Sequence, residues 1–335
     1  MSFMESWPVS LKVITFILAL IIGIFCLVKF CDIFVDASCS IAKKLHISEL
    51  IIGLTIVAMG TSCPELAVSV SDSISTLING GNANVAIGNV VGSNICNLLL
   101  VLGASCLFTP IIVKKSICKK EYPFLIGISI LLVIFVIFFG LNSFVGEYVV
   151  TRIEGIIFVL LIGVYIYLLI KSNKNNNEQI NEEVSEIKEI KLWKSIILVI
   201  VGCAGIIFGG EAVVFGAKGI ALEISDAAHL DHDLAEALIG LTIVAVGTSL
   251  PELVTSVVAS KKGQNELALG NVIGSNIFNT LFVLGISATV NPLTSGSQIV
   301  VDVIFMLVVT LLVFVFALKG KIGKVQGYIL LCLYL

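Results

Sequence analysis

Charge is what this chain has least of. Only 13% of its 335 residues are Asp, Glu, Lys or Arg, about half the share near 25% found in a soluble domain. With 58% hydrophobic residues and a mean hydropathy of +1.10, that scarcity excludes an ordinary water-soluble fold. Histidine is down to three, His46, His229 and His232, all in or beside polar stretches. A membrane-embedded serine hydrolase needs a base near its nucleophile, and no histidine here sits mid-run with a serine. The nine cysteines form no Cys-x-x-Cys pair, which speaks against a zinc or disulfide framework. Most lie in apolar runs, where Cys behaves as a small hydrophobe. The short alternating segments of a transmembrane barrel are also missing. The net charge of −3 says little about partners. The lipid bilayer is the expected one, with no nucleic acid; oligomeric state is not legible.

Present instead are many apolar runs of the roughly 20 residues needed to cross a bilayer. Ten spans are predicted, at about 11–31, 49–77, 84–108, 122–140, 149–171, 193–222, 236–260, 266–290, 297–318 and 323–335. The last is short. The first is longer than a signal peptide's apolar region and lacks a small-x-small cleavage site, so it reads as a retained helix. The fold class is therefore all-α and polytopic. One stretch is plainly aqueous, "KSNKNNNEQINEEVSEIKEIKLWK" at 171–194. Its polar, Asn- and Glu-rich composition reads as a linker or surface helix. It divides the chain into halves at 1–171 and 193–335, with the linker at 172–192.

Lysine is one-sided. With ten spans, Lys43, Lys44, Lys114, Lys115, Lys119, Lys120, the linker lysines, Lys261, Lys262, Lys319, Lys321 and Lys324 share one face. These make up sixteen of the twenty basic residues. The opposite loops are neutral, as in "NGGNAN", or acidic, as in "EISDAAHLDHD". The positive-inside rule makes the lysine face cytoplasmic and puts both termini outside.

The halves repeat. "GLTIVAMGTSCPELAVSV" (53–70) matches "GLTIVAVGTSLPELVTSV" (240–257) at fourteen of eighteen positions, and "GNVVGSNICNLLLVLG" (88–103) matches "GNVIGSNIFNTLFVLG" (270–285) at twelve of sixteen. These segments anchor α-repeats at about 49–108 and 236–290. An odd number of spans separates the copies, so the second runs through the membrane the other way up. Inverted repeats are a carrier architecture, with the binding site near the midplane. A channel does not need them.

Each copy breaks its own helix. Pro64 and Pro251 have no N–H, so the carbonyls of Gly60 and Gly247 lose their helical partners. Proline also suits the first turn of a new half-helix. Loose carbonyls at membrane depth are tolerated only where they face protein or a cavity. Thr61 and Glu65 are four apart, with Ser62 between them, and Thr248, Ser249 and Glu252 repeat the arrangement. Ser93 and Asn97, like Ser275 and Asn279, are also four apart, the spacing of one helix face. All are hard oxygen donors, which suit Ca²⁺ or Na⁺ rather than zinc or copper. Two carboxylates balance about one Ca²⁺ or roughly two to three Na⁺, but not both loads at once. A carboxylate at membrane depth costs at least about 2.5 kcal/mol, so two in matching places point to function.

Blander readings compete at some positions. Asn97 and Asn279 also fit as interhelical polar contacts, and the repeat glycines as close-packing points. Glu49 and Glu236 fit helix N-terminal dipoles. Asp32, Asp36 and Glu211 fit either gating or interfacial solvation, and the acidic loop 223–233 a solvated surface.

The doubled GLTIVAxGTSxPEL and GNVxGSNIxN resemble the α-repeats of the cation/calcium exchanger superfamily, in particular its prokaryotic sodium/calcium exchanger-type branch. The resemblance implies a ten-helix antiporter of the plasma membrane, carrying Ca²⁺ and Na⁺ without a cofactor. It implies that Glu65 and Glu252 bridge Ca²⁺, with backbone carbonyls from Thr61 and Thr248. It implies sodium sites using Ser62, Ser93, Ser249 and Ser275, the same two glutamates, and the carbonyls of Ala58 and Ala245. Asn97 and Asn279 fall at the family's central polar positions. Some members, and the potassium-dependent branch, carry Asp where this chain has Asn279; here both positions are amides. Proton coupling stays open at this point.

Overall fold

The computed structural model describes residues 7–45, 47–79, 84–139, 141–142, 147–174, 191–227 and 245–335. The helices are α1 (Val9–Leu45), α2 (Glu49–Thr61), α3 (Cys63–Asn79), α4 (Asn84–Cys96, a π turn at Asn97–Val101, then Leu102–Phe108), α5 (Lys115–Lys119) and α6 (Glu121–Ile134, with a π turn at Phe135–Phe139). They continue as α7 (Arg152–Lys174), α8 (Leu192–Ala227), α9 (Ala245–Thr248), α10 (Leu250–Lys261), α11 (Asn265–Phe278, a π turn at Asn279–Val283, then Leu284–Val290), α12 (Gln298–Ala317) and α13 (Lys324–Tyr334). Seven are long and apolar enough to cross a membrane, or eight when α2 and α3, bent by 48°, count as one broken span. The protein is thus a mostly helical, multi-pass membrane protein.

The end of the first span differs from expectation, and the last span is short as expected. The first helix runs on to Leu45, because the segment beyond residue 31 carries no proline or glycine to stop it. At the C-terminus, α13 has eleven residues, about 16 Å of helix, too short to cross alone. The chain is also not purely helical. Ile111–Ile112 (β1) pairs with Lys321–Ile322 (β5), and Leu141–Asn142 (β2), Glu147–Val150 (β3) and Leu293–Ser295 (β4) form a second antiparallel patch. Both join loops that the ten-span order puts on the same side.

Glycine sets the helix crossings. A Cβ on Gly53 would come 3.0 Å from the Gly270 Cα, and one on Gly155 2.7 Å from the Gly285 carbonyl. Gly103 meets Gly327 and Gly23 meets Gly209 in the same way, at 3.1 and 2.8 Å. Close backbone approach of this kind is how helices associate where water supplies no hydrophobic drive. Gly88 and Gly92 differ. They are exposed, and nothing among the described residues lies within 4 Å of a Cβ built there.

Two long helices, α1 and α8, pack along each other. Gly202, Gly205 and Gly219 receive Phe34, Phe30 and Phe16. The pair is fastened near both ends, by Lys12 to Glu223 at 3.4 Å and by the Ser195 hydroxyl donating to Ser40 at 3.1 Å. Near the lysine face, Lys262 at the end of α10 bonds Asp36 at 2.7 Å and Asp32 at 3.2 Å on α1. Glu223, expected in a solvated loop, instead lies in α8 and pairs with Lys12, while Glu211 is exposed on α8.

A candidate cation site where two broken helices meet

The breaks fall where proline chemistry requires. Ser62 (φ −83°, ψ 8°) ends α2, and Ser249 (φ −88°, ψ 2°) precedes α10. Both leave the helical well at the residue that Pro64 and Pro251 follow by two. Glu65 and Glu252 then sit in the first turn of α3 and α10, where the helix N-terminus favours negative charge. Both side chains are 0% exposed.

Their surroundings differ. Glu252 Oε1 accepts from the Ser62 hydroxyl at 3.0 Å and from Ser275 at 3.4 Å, so one oxygen is held by donors from both halves. Its Oε2 has no partner. Ser93 faces Glu65 without reaching hydrogen-bond geometry, and neither Glu65 oxygen has a donor. Ser249 Oγ, Asn97 Oδ1 and both polar atoms of Asn279 are likewise buried without partners. Buried polar atoms are nearly always satisfied, so a cluster of unsatisfied oxygens is a site built for something that binds oxygen.

Asn97 and Asn279 each open a π turn, the helix irregularity most often found at functional sites. The Asn97 amide nitrogen donates to Asn276 Oδ1 at 3.2 Å, leaving its oxygen free. Thr61 Oγ1 donates to Asn271 Oδ1 at 3.1 Å, so its hydroxyl faces the second half and not Glu65. Thr248 is buried beside Ser249. Ala58 O already accepts Ser62 N at 3.0 Å and lies 3.4 Å from Thr61 Oγ1, so that carbonyl is engaged within its own helix. Ala245 opens α9; the preceding stretch, with Glu236 and Gly240, lies outside the described residues, as do His46, His229 and His232. The loosened carbonyl of Gly60 accepts from Cys203 Sγ at 3.3 Å, so it is bound within the protein.

Two sets of residues that sequence reasoning did not single out hold this geometry. Asn89 Nδ2 donates to Glu65 O at 3.3 Å and Ser69 Oγ at 3.0 Å. Asn271 Nδ2 does the same for Glu252 O at 3.4 Å and Ser256 Oγ at 2.9 Å. These amides tie each broken helix to its following one. At the centre, Asn94 and Asn276 each donate to the other's carbonyl at 3.4 Å, a reciprocal contact relating the two halves. All four lie inside the repeated GNV and GSN triplets, and that was the available signal.

Among the described residues, no group of three or more His, Cys, Asp or Glu could hold a metal. Two carboxylates amid hydroxyls and amides form a weaker, all-oxygen set of the kind that takes a hard cation in transit. Buried at the crossing of membrane helices, such a set is of the kind a cation carrier uses. The comparisons with known proteins make the class specific. The family model described as "Sodium/calcium exchanger protein" matches residues 15–171 and 194–335. The chain is 36% identical over 324 residues to CaxA of Alkalimonas amylolytica, covering 94% of this chain and 95% of that protein. It is 32% identical over 347 residues to sodium/calcium exchanger MaX1 of Methanosarcina acetivorans, covering 95% of both. Its fold is similar to the solved sodium/calcium exchanger from Methanococcus jannaschii, with TM-score 0.78, 32% identity and 96% of each chain covered. The chain belongs to the sodium/calcium exchanger family. It is a cation/Ca²⁺ antiporter and a transporter rather than an enzyme.

Proposed function

We propose that the chain exchanges Na⁺ for Ca²⁺ by alternating access and needs no K⁺. The observation that carries this reading is the buried cluster of unpartnered oxygens from both halves: Glu65, Glu252 Oε2, Asn97, Asn279 and Ser249. Glu65 and Glu252 would bridge Ca²⁺ with the carbonyls of Thr61 and Thr248. The serines 62, 93, 249 and 275, with the carbonyls of Ala58 and Ala245, would hold Na⁺ beside the same glutamates. Competition for two shared charges makes the loads exclusive. Asn97 and Asn279 add dipoles but no charge, so nothing remains to balance K⁺ alongside Ca²⁺.

The frame we infer is ten spans in two inverted halves, with the lysine face in the cytoplasm of a cell-membrane protein and both termini outside. The β1–β5 and β3–β4 pairings and the Lys114–Glu266 ion pair support that order, because each joins loops it places together.

The deciding measurement is ⁴⁵Ca uptake into vesicles with voltage clamped. A Na⁺ gradient is expected to drive it, and replacing K⁺ by choline to leave it unchanged. A strict K⁺ requirement would overturn the coupling. One observation favours a second reading, H⁺/Ca²⁺ exchange: Glu65 has no donor, so a proton could take its charge as a cation does. Uptake driven by a pH gradient and not by Na⁺ would establish it.

A further inference from the structure

Cation binding leaves two thiols unexplained. Cys63 is the first residue of α3, inside the break, and its counterpart in the second half is Leu250. The repeated machinery therefore does not require sulfur there. Cys203 lies on α8, and its Sγ is 3.3 Å from the Gly60 carbonyl. Cys63 Sγ donates to Met59 O at 3.3 Å, so both sulfurs flank the same turn of the broken helix. The two sulfurs thus bond the consecutive carbonyls of Met59 and Gly60, and a Cβ on Gly60 would come 3.2 Å from Cys203 Sγ. Cys63 is exposed and Cys203 partly so, whereas Cys31, Cys39, Cys96 and Cys106 are buried.

Position gives the pair its meaning. Cys63 belongs to the core beside Glu65, two residues further on. Cys203 belongs to the α1–α8 unit, which is fastened within itself near both ends. A covalent link between these sulfurs would tie that unit to the break.

We propose that Cys63 and Cys203 are an oxidation site, and that the disulfide they form arrests transport by fixing α8 against the broken helix. The oxidant class is a small disulfide or diazene. With a disulfide, one thiolate attacks an oxidant sulfur and releases one thiol. The second thiolate then displaces the other half from the mixed disulfide. Two protein thiols lose two protons and two electrons, one S–S bond forms, and a disulfide oxidant is reduced to two thiols; with a diazene, one thiolate adds to the N=N bond, the second displaces the nitrogen, and the diazene is reduced to its hydrazine. The arrest rests on the alternating-access reading; the bond itself does not.

The test uses the full chain reconstituted in vesicles and treated with diamide, then denatured and tagged at free thiols with a polymer-linked maleimide. The wild type is expected to carry two fewer tags after oxidation, without a dimer on a non-reducing gel, and to regain them with dithiothreitol. Cys63→Ser and Cys203→Ser should each carry the same number before and after. Na⁺-driven ⁴⁵Ca uptake by the wild type should fall to the level of empty vesicles and recover on reduction, while both variants keep theirs. An unchanged tag count, or the same loss of two tags in Cys63→Ser, overturns the pair. Tags lost with uptake unchanged overturn the arrest. A wild type with no uptake before oxidation counts against the transport reading, and the tag count still decides the pair.

Discussion

The two glutamates occupy equivalent places in nearly identical motifs, yet one is gripped and the other is not. Glu252 takes hydroxyl donors from both halves, and Glu65 takes none. Further out, Gly270 and Gly274 press against Gly53, Leu54 and Ala58; the repeat counterpart of that stretch, around Gly240, lies outside the described residues. At the glutamates a repeated sequence thus adopts an asymmetric arrangement. On the inverted-repeat reading proposed above this follows directly, since a carrier closed identically on both sides could release nothing.

The largest effect expected from disturbing this comparison is at the carboxylates. Glu65→Gln and Glu252→Gln each remove one of two charges from a desolvated site, a loss of about 2–5 kcal/mol, or roughly 30- to 4,000-fold in affinity. ⁴⁵Ca uptake by either variant should fall to background while membrane insertion persists. Wild-type uptake by one of them would show that only the other glutamate matters.

Next come the glycines. A Cβ at Gly53 would lie 2.7 Å from the Leu267 carbonyl, so Gly53→Ala should cost about 1–3 kcal/mol through overpacking. Gly163→Ala, on the exposed side of α7, should stay within about 0.5 kcal/mol. Thermal unfolding of the two variants in detergent compares them directly, and equal losses would show that the close approach at Gly53 carries no packing cost.

The smallest effect is at the serines. Ser62→Ala removes the donor at 3.0 Å from Glu252, about 1 kcal/mol, and should raise the Ca²⁺ concentration for half-maximal uptake about fivefold. Ser249→Ala, whose hydroxyl has no protein partner, should alter the Na⁺ dependence more than the Ca²⁺ dependence. Identical profiles for the two would remove the distinction between the halves.

How much of this was legible in the sequence depended on range. The breaks at Ser62 and Ser249 were readable because proline acts within four residues. So was the placing of Glu65 and Glu252 in a first turn. The fate of the Gly60 carbonyl was not, because its partner Cys203 arrives from 143 residues away. Asn89 and Asn271 stood in plain view in the motif, but only the helix they face gives them a role. The π turns at Asn97 and Asn279 escaped for a similar reason, since one extra residue in a helical turn leaves no mark on an apolar pattern. The strands β1 and β5 have two residues each, too few to alternate visibly.

The length of α1 has a consequence for the surrounding lipid. Its 37 residues make a rod of about 55 Å, against a hydrocarbon layer of about 30 Å. The rod can be accommodated by tilting, by carrying its ends beyond the layer, or by thickening the bilayer around it. Much of its outer surface is lipid-facing, with Ile14, Ile21 and Phe25 all more than half exposed. Any shift of the α1–α8 unit against the core therefore changes how much of the rod the membrane must cover. Bilayer thickness then acts as a mechanical load on the exchange cycle, and lipids of different chain length are expected to change its speed without touching the ions.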